Sequence, residues 1–121
     1  MARILIVDDE GGIRSLLART LSRAGHEVRT AAHGGEAMQL CASEHFDVLL
    51  SDVLMPGMNG HELVGWAVRN VPGIRCALMT GFDNVDCQGC PFQSGCRVLA
   101  KPFRPKDAVS FIERFLQDLR S

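Results

Sequence analysis

At 121 residues and 46% hydrophobic, the chain is long enough to bury a sizeable core without help from disulfides or metals. A formal charge of −1, with acids and bases interspersed, leaves no basic stripe to attract nucleic acid or an anionic membrane, so neither is expected as a direct partner. No apolar run approaches a membrane span, and MARILIVDDE meets acidic residues too early for a signal peptide. The expectation is a cytoplasmic single domain over residues 1–121, with its five cysteines as reduced thiols.

The first strand is predicted over Ile4–Val7 and runs directly into Asp8, Asp9 and Glu10. Ile13, Leu16, Leu17, Thr20, Leu21 and Ala24 then share one face of a helix that Gly25 stops. A second strand is predicted over Glu27–Thr30, a helix over Gly35–Glu44, and a third strand over Asp47–Leu50, with Asp52 just beyond it. A helix over His61–Asn70 leads to a fourth strand, Cys76–Met79, followed by Thr80 and Gly81. By position, Asp83–Gly95 should hold another helix, although Gly89, Gly95 and Pro91 make it a poor helix former. The last strand, Val98–Ala100, leaves into Lys101 and Pro102. Pro105 suits the first turn of a C-terminal helix with Ala108, Phe111, Ile112, Phe115, Leu116 and Leu119 on one face. Trp66 reads as core or core edge. His26, His33, His45 and His61 show no paired ligand spacing and read as solvated or locally bonded.

Strands alternating with helices give an α/β class: a parallel sheet covered by helices, every strand ending on the same edge. Open sheets of this kind bind ligands outside those carboxyl ends. Asp8, Asp9, Asp52, Thr80 and Lys101 would meet there, with Asp52 exposed at its strand end. Neighbouring carboxylates repel unless a cation sits among them, and oxygen donors suit a hard divalent ion such as magnesium. A lysine ammonium and a threonine hydroxyl complete a cradle for a phosphoryl group, toward which an ionised carboxylate can act as nucleophile. Taken singly, each residue also reads as a turn residue, strand filler or surface charge. Their conjunction on one edge favours the chemistry.

ILIVDDE, LLSDVLMPGMNG with its D-x-x-M-P-x-x-x-G pattern, LMTG and LAKPF stand in the order and spacing of receiver domains of two-component response regulators. The chain resembles that family over essentially its full length, in the manner of the stand-alone chemotaxis regulators. The resemblance implies a flavodoxin-like three-layer sandwich with strand order 2-1-3-4-5. It implies a phosphorelay receiver that takes a phosphoryl group from a sensor histidine kinase or histidine phosphotransfer protein and switches conformation to control a downstream protein target. Such a domain is not an enzyme, apart from promoting its own phosphoryl transfer and slow autodephosphorylation. By resemblance, Asp52 is the phosphoacceptor. Asp9, Asp52 and the backbone carbonyl of Leu54 would ligate Mg2+, with Asp8 assisting through water. Thr80 and Gly81 would meet the phosphoryl oxygens, Lys101 would pair with them, and the Lys101–Pro102 peptide would be cis. Output would leave through the face formed by the segment 83–95, the strand Val98–Ala100 and the C-terminal helix.

Three departures from the family pattern stand out. Val98 occupies a position where many receivers carry Tyr or Phe, so Phe82 or the weak helix over Asp83–Gly95 is expected to replace the usual aromatic swing. Leu54 and Phe82 are apolar where polar residues are frequent, which makes them tuning positions for phosphoryl lifetime. Cys87, Cys90 and Cys96, with Cys76 as a possible fourth member, open an alternative: a redox- or metal-responsive interaction module. Only three of the four ligands of a structural zinc site lie in that stretch, so reduced thiols are expected. A phosphatase of the haloacid dehalogenase type wants an aspartate where Leu54 stands. A flavin mononucleotide binder would set its phosphate against Asp8 and Asp9. An idle interaction module is at odds with the intact acidic, hydroxyl and lysine set. No effector segment follows the last helix, which fits a stand-alone receiver or a piece of a larger regulator.

Overall fold

In a computed structural model the described residues are 2–80 and 98–118. The helix expected over Asp83–Gly95, with Gly81, Phe82, Cys87, Cys90 and Cys96, lies outside them, as does Leu119. The elements in chain order are β1 (Arg3–Val7), α1 (Gly11–Arg23), β2 (Glu27–Ala31), α2 (Gly34–Ser43), β3 (Val48–Asp52), α3 (Gly60–Asn70), β4 (Arg75–Thr80), β5 (Val98–Ala100) and α4 (Pro105–Asp118). All strand pairs are parallel and the sheet order is β2-β1-β3-β4-β5, the flavodoxin-like order expected.

The central strands are buried on both faces, which is why β1 and β3 read as continuous apolar runs rather than as alternation. Ile4, Ile6, Leu50 and Met79 point into one core with Leu17 and Leu21 of α1 and Ala108, Ile112 and Phe115 of α4. Leu5, Val7, Leu49 and Leu78 point into the other, against Ala37 of α2 and Leu63, Val64 and Ala67 of α3; Trp66 packs at its edge. The edge strand β2, EVRTA, alternates exposed and partly buried residues.

Local chemistry sets the helix ends. Gly25, at φ 99°, donates to Ser22 O at 3.1 Å while His26 N donates to Leu21 O at 3.2 Å, the paired closing bonds of a glycine-stopped helix. Helices α2 and α3 start at Gly34 and Gly60, one residue earlier than expected, because caps fix them. His33 Nδ1 accepts from Glu36 N at 3.2 Å, and Asn59 and Glu62 form a reciprocal capping box. Strand β3 extends to Asp52, which is therefore inside the ladder, in register with Met79, and not beyond the strand. At the opposite edge of the sheet Arg3 bridges Glu27 at 2.9 Å and Glu44 at 2.6 Å and lies over the Phe46 ring.

Gly60 carries the tightest backbone approach. A Cβ there would run into the carbonyl oxygen of Asp52 and sit 2.9 Å from Val53 Cα, whereas a Cβ on Gly12 would meet nothing within 4 Å. Gly60→Ala is therefore expected to destabilise by about 1–3 kcal/mol. Gly12→Ala should be stabilising by up to about 1 kcal/mol, since the helical backbone accepts alanine. Urea unfolding of the two variants checks the opposite signs.

Candidate functional site

The site grows from the register of β1 and β3. Val7 pairs with Ser51, so the next residues along, Asp8 and Asp52, come side by side at the carboxyl edge. Asp8 N donates to Ala31 O of β2 at 3.1 Å, holding the chain in line one residue past the strand. Asp8 is wholly buried, and both carboxylate oxygens are engaged: Oδ1 accepts from Glu10 N at 2.9 Å and Oδ2 from Lys101 Nζ at 2.8 Å. Its main-chain oxygen accepts from Arg14 Nη1 at 2.6 Å.

Asp52 is only 7% exposed, contrary to its expected exposure, because it closes a buried strand between β1 and β4. Its carboxylate meets Lys101 Nζ at 3.5 Å. Lys101 follows β5, and its own amide donates to Thr80 O at 2.8 Å, which ties β5 to the buried end of β4. Lys101 was expected to face a phosphoryl group; here its ammonium spans Asp8 and Asp52. The Lys101–Pro102 peptide is cis, as expected. Asp9 is exposed, and one oxygen each from Asp8, Asp9 and Asp52 lie within 4.8 Å of one another.

Electrostatics follow from that crowding. Burial and then the Asp8 charge push the Asp52 carboxyl above its ordinary value, with Lys101 opposing and Asp9 adding to the rise. Burial alone would lower the Lys101 ammonium, but its hydrogen bond to Asp8 and the charges of Asp8 and Asp52 outweigh that and raise it. One oxygen each from Asp8, Asp9 and Asp52, the last a carboxylate already disfavoured in its charged form, fit a hard divalent cation such as Mg2+, which would relieve the repulsion.

The remaining expected residues fall elsewhere. Leu54 is 57% exposed in the loop after β3, while Val98 is half-buried in register with Leu78 and packs on the core shared with α2 and α3. Cys76 lies one residue inside β4, in register with Leu49, and burial pushes its thiol up to about 12, with Cys41 contributing. That is the environment of a packed thiol. Among the histidines, His26 accepts from Ala2 N, His33 caps α2 and His45 lies 3.4 Å from Asp47. His61 Nδ1 is buried and finds no hydrogen-bond partner among the described residues. Arg14 had no assigned role in the sequence; only its place on the first turn of α1, within reach of the acidic pair, points to it.

Comparisons with known proteins bear on the family and the fold. The family described as response regulator receiver domain matches residues 4–113. The response regulator receiver protein CpdR of Brucella abortus is 34% identical over 96% of this chain and 98% of its own length. The DNA-binding transcriptional regulator NtrC of Escherichia coli is 37% identical over 92% of this chain, which spans only 24% of that regulator. The solved structure of chemotaxis response regulator CheY4 of Vibrio cholerae superposes with a TM-score of 0.82 at 36% identity, covering 94% of this chain and 98% of that one.

The raised Asp52 carboxyl has a consequence for stability. The folded state holds its proton to higher pH than the unfolded chain, whose value is near 3.8, so stability falls as pH rises through that window and the loss persists at neutral pH. Asp52→Asn should therefore unfold at a higher temperature than the parent at pH 7 in metal-free buffer. The difference should vanish below about pH 3.8, where both are neutral. Thermal melts at the two pH values with chelator present check this.

Proposed function

We propose the function of this site from one premise: the chain belongs to the response regulator receiver domain family and is a phosphorelay receiver. The observation that carries the assignment of residues is the convergence of Asp8, Asp9 and Asp52 beside Lys101 at the end of the sheet. Asp52 is the phosphoacceptor. One of its carboxylate oxygens attacks the phosphorus of a phosphohistidine on a sensor histidine kinase or histidine phosphotransfer protein. The new O–P bond replaces the N–P bond, and the imidazole leaves with the electron pair and takes a proton from solvent.

A carboxylate acts as nucleophile without a general base, so the protein's task is positioning and charge neutralisation. Asp9 and Asp52, with the Leu54 carbonyl, would hold Mg2+ and Asp8 would meet it through water; the ion supplies charge neutralisation on the transferred group. Lys101 already spans the acids from the end of β5, so a phosphoryl group on Asp52 gives its ammonium a stronger anion to follow, and Thr80 and Gly81 would meet the phosphoryl oxygens. Lys101 links that change to β5 and α4, the expected route to a downstream protein partner, with Phe82 or the segment 83–95 in place of an aromatic at Val98. The domain acts in the cytoplasm and promotes its own phosphorylation and slow dephosphorylation. Among the described residues no helix is long and apolar enough to cross a membrane.

Treatment with a small-molecule phosphodonor and Mg2+ should add the mass of one phosphoryl group, with no addition in chelator or in Asp52→Asn. A folded Asp52→Asn protein that still gains this mass would sink the assignment. Lifetime gives a second check. Leu54 stands exposed beside the site and offers no side-chain hydrogen bond to orient an attacking water. One added hydrogen bond of about 1 kcal/mol corresponds to a roughly fivefold rate change. The Leu54→Asn, Phe82→Glu variant should therefore lose its phosphoryl group about that much faster, read from the decay of the phosphorylated mass.

A further inference from the structure

Arg14 is a half-buried side chain on the first turn of α1 whose Nη1 donates to the main-chain oxygen of Asp8 at 2.6 Å. Its guanidinium lies across the helix start, with the second terminal nitrogen 3.5 Å from where a Gly11 Cβ would stand. The carbonyl it holds belongs to the Asp8–Asp9 peptide. The orientation of that peptide plane sets the direction in which Asp9 leaves the backbone. Asp8 itself is fixed by Ala31 O, Glu10 N and Lys101 Nζ; the Glu10 bond holds the peptide that follows Asp9, and Arg14 holds the one that precedes it.

We propose that Arg14 is a positioning residue for the divalent-cation site: by pinning the Asp8–Asp9 peptide it keeps the Asp9 carboxylate within ligating distance of Asp52. This rests on the reading of Asp9 and Asp52 as Mg2+ ligands. The sign of the effect separates positioning from simple charge. A bystander cation near the site repels a dication, so its removal would tighten Mg2+ binding. Loss of a positioning contact weakens it, by about tenfold for groups that orient metal ligands.

Isothermal titration of the metal-free chain with MgCl2 provides the test, with Arg14→Gln, Arg14→Ala and Arg14→Lys measured beside Asp9→Asn and Asp52→Asn. The expected result is a Kd about tenfold higher for Arg14→Gln and Arg14→Ala. A smaller rise is expected for Arg14→Lys, which keeps the charge and one donor but not the fork. Metal-free thermal midpoints are recorded in parallel, because a merely structural role would lower the midpoint and leave the Kd of the folded protein unchanged. Equal or tighter Mg2+ binding by folded Arg14→Gln overturns the proposal. If both neutral variants fail to fold, Arg14→Lys decides: a weakened Kd supports the role and an unchanged one overturns it. Wild-type-like binding by Asp9→Asn and Asp52→Asn would remove the metal-site reading and this role with it. Loss of binding in those two with none in Arg14→Gln would remove only the role of Arg14.

Discussion

A carboxylate with no accessible surface lies at the carboxyl edge of the sheet, and the site is arranged around the way Asp8 is satisfied. An isolated buried charge is too costly to keep, so each of its polar groups must be met. Ala31 O, Glu10 N, Lys101 Nζ and Arg14 Nη1 meet them, from β2, the β1–α1 turn, the end of β5 and α1 respectively. A single residue thereby joins strands that are not neighbours in the sheet. Lys101 sits closer to Asp8 than to Asp52, at 2.8 Å against 3.5 Å.

The arrangement places function and stability in opposition. Burial, and after it the charge of Asp8, holds the Asp52 carboxyl above its ordinary value, a cost that the apolar cores on the two faces of the sheet must offset. The same crowding gives the edge its chemistry. A site that disfavours its own ionised carboxylate gains from a divalent cation, and Lys101 alone does not remove the strain. The rigid base is supplied by close approach: Gly60 lets α3 start directly against the Asp52 carbonyl, so the acid sits on backbone fixed from both sides.

The far edge of the sheet carries a different kind of polar network. Arg3 is shared between Glu27, Glu44 and the carbonyl of His45, joining β1, β2 and the end of α2, while its amide is held by the Asp47 carboxylate. These groups are partly exposed and each pair is worth little alone. Their value lies in register, since a one-residue slip of β1 against β3 would move Asp8 away from Asp52 and swap the β1 side chains between the two cores.

The α/β class, the alternation of strands and helices, and the candidate acids are legible in the chain alone, because strand runs such as ILIV and LLS and the helix period of ARTLSR or FIERFL are local signals that burial enforces. The chain's resemblance to receivers supplied the sheet order and the cis Lys101–Pro102 peptide, both of which the fold carries. The burial of Asp52, the bridging position of Lys101, the packing of Cys76 and the place of Arg14 on the Asp8 carbonyl emerge with folding. Local pattern can place Asp52 at a strand end. Its solvation depends on β1 and β4 closing around it, and its charge partner comes from a residue 93 positions from Asp8. Sequence carries periodicity and turn chemistry; desolvation and Coulomb energy depend on distances that exist only once the sheet has assembled.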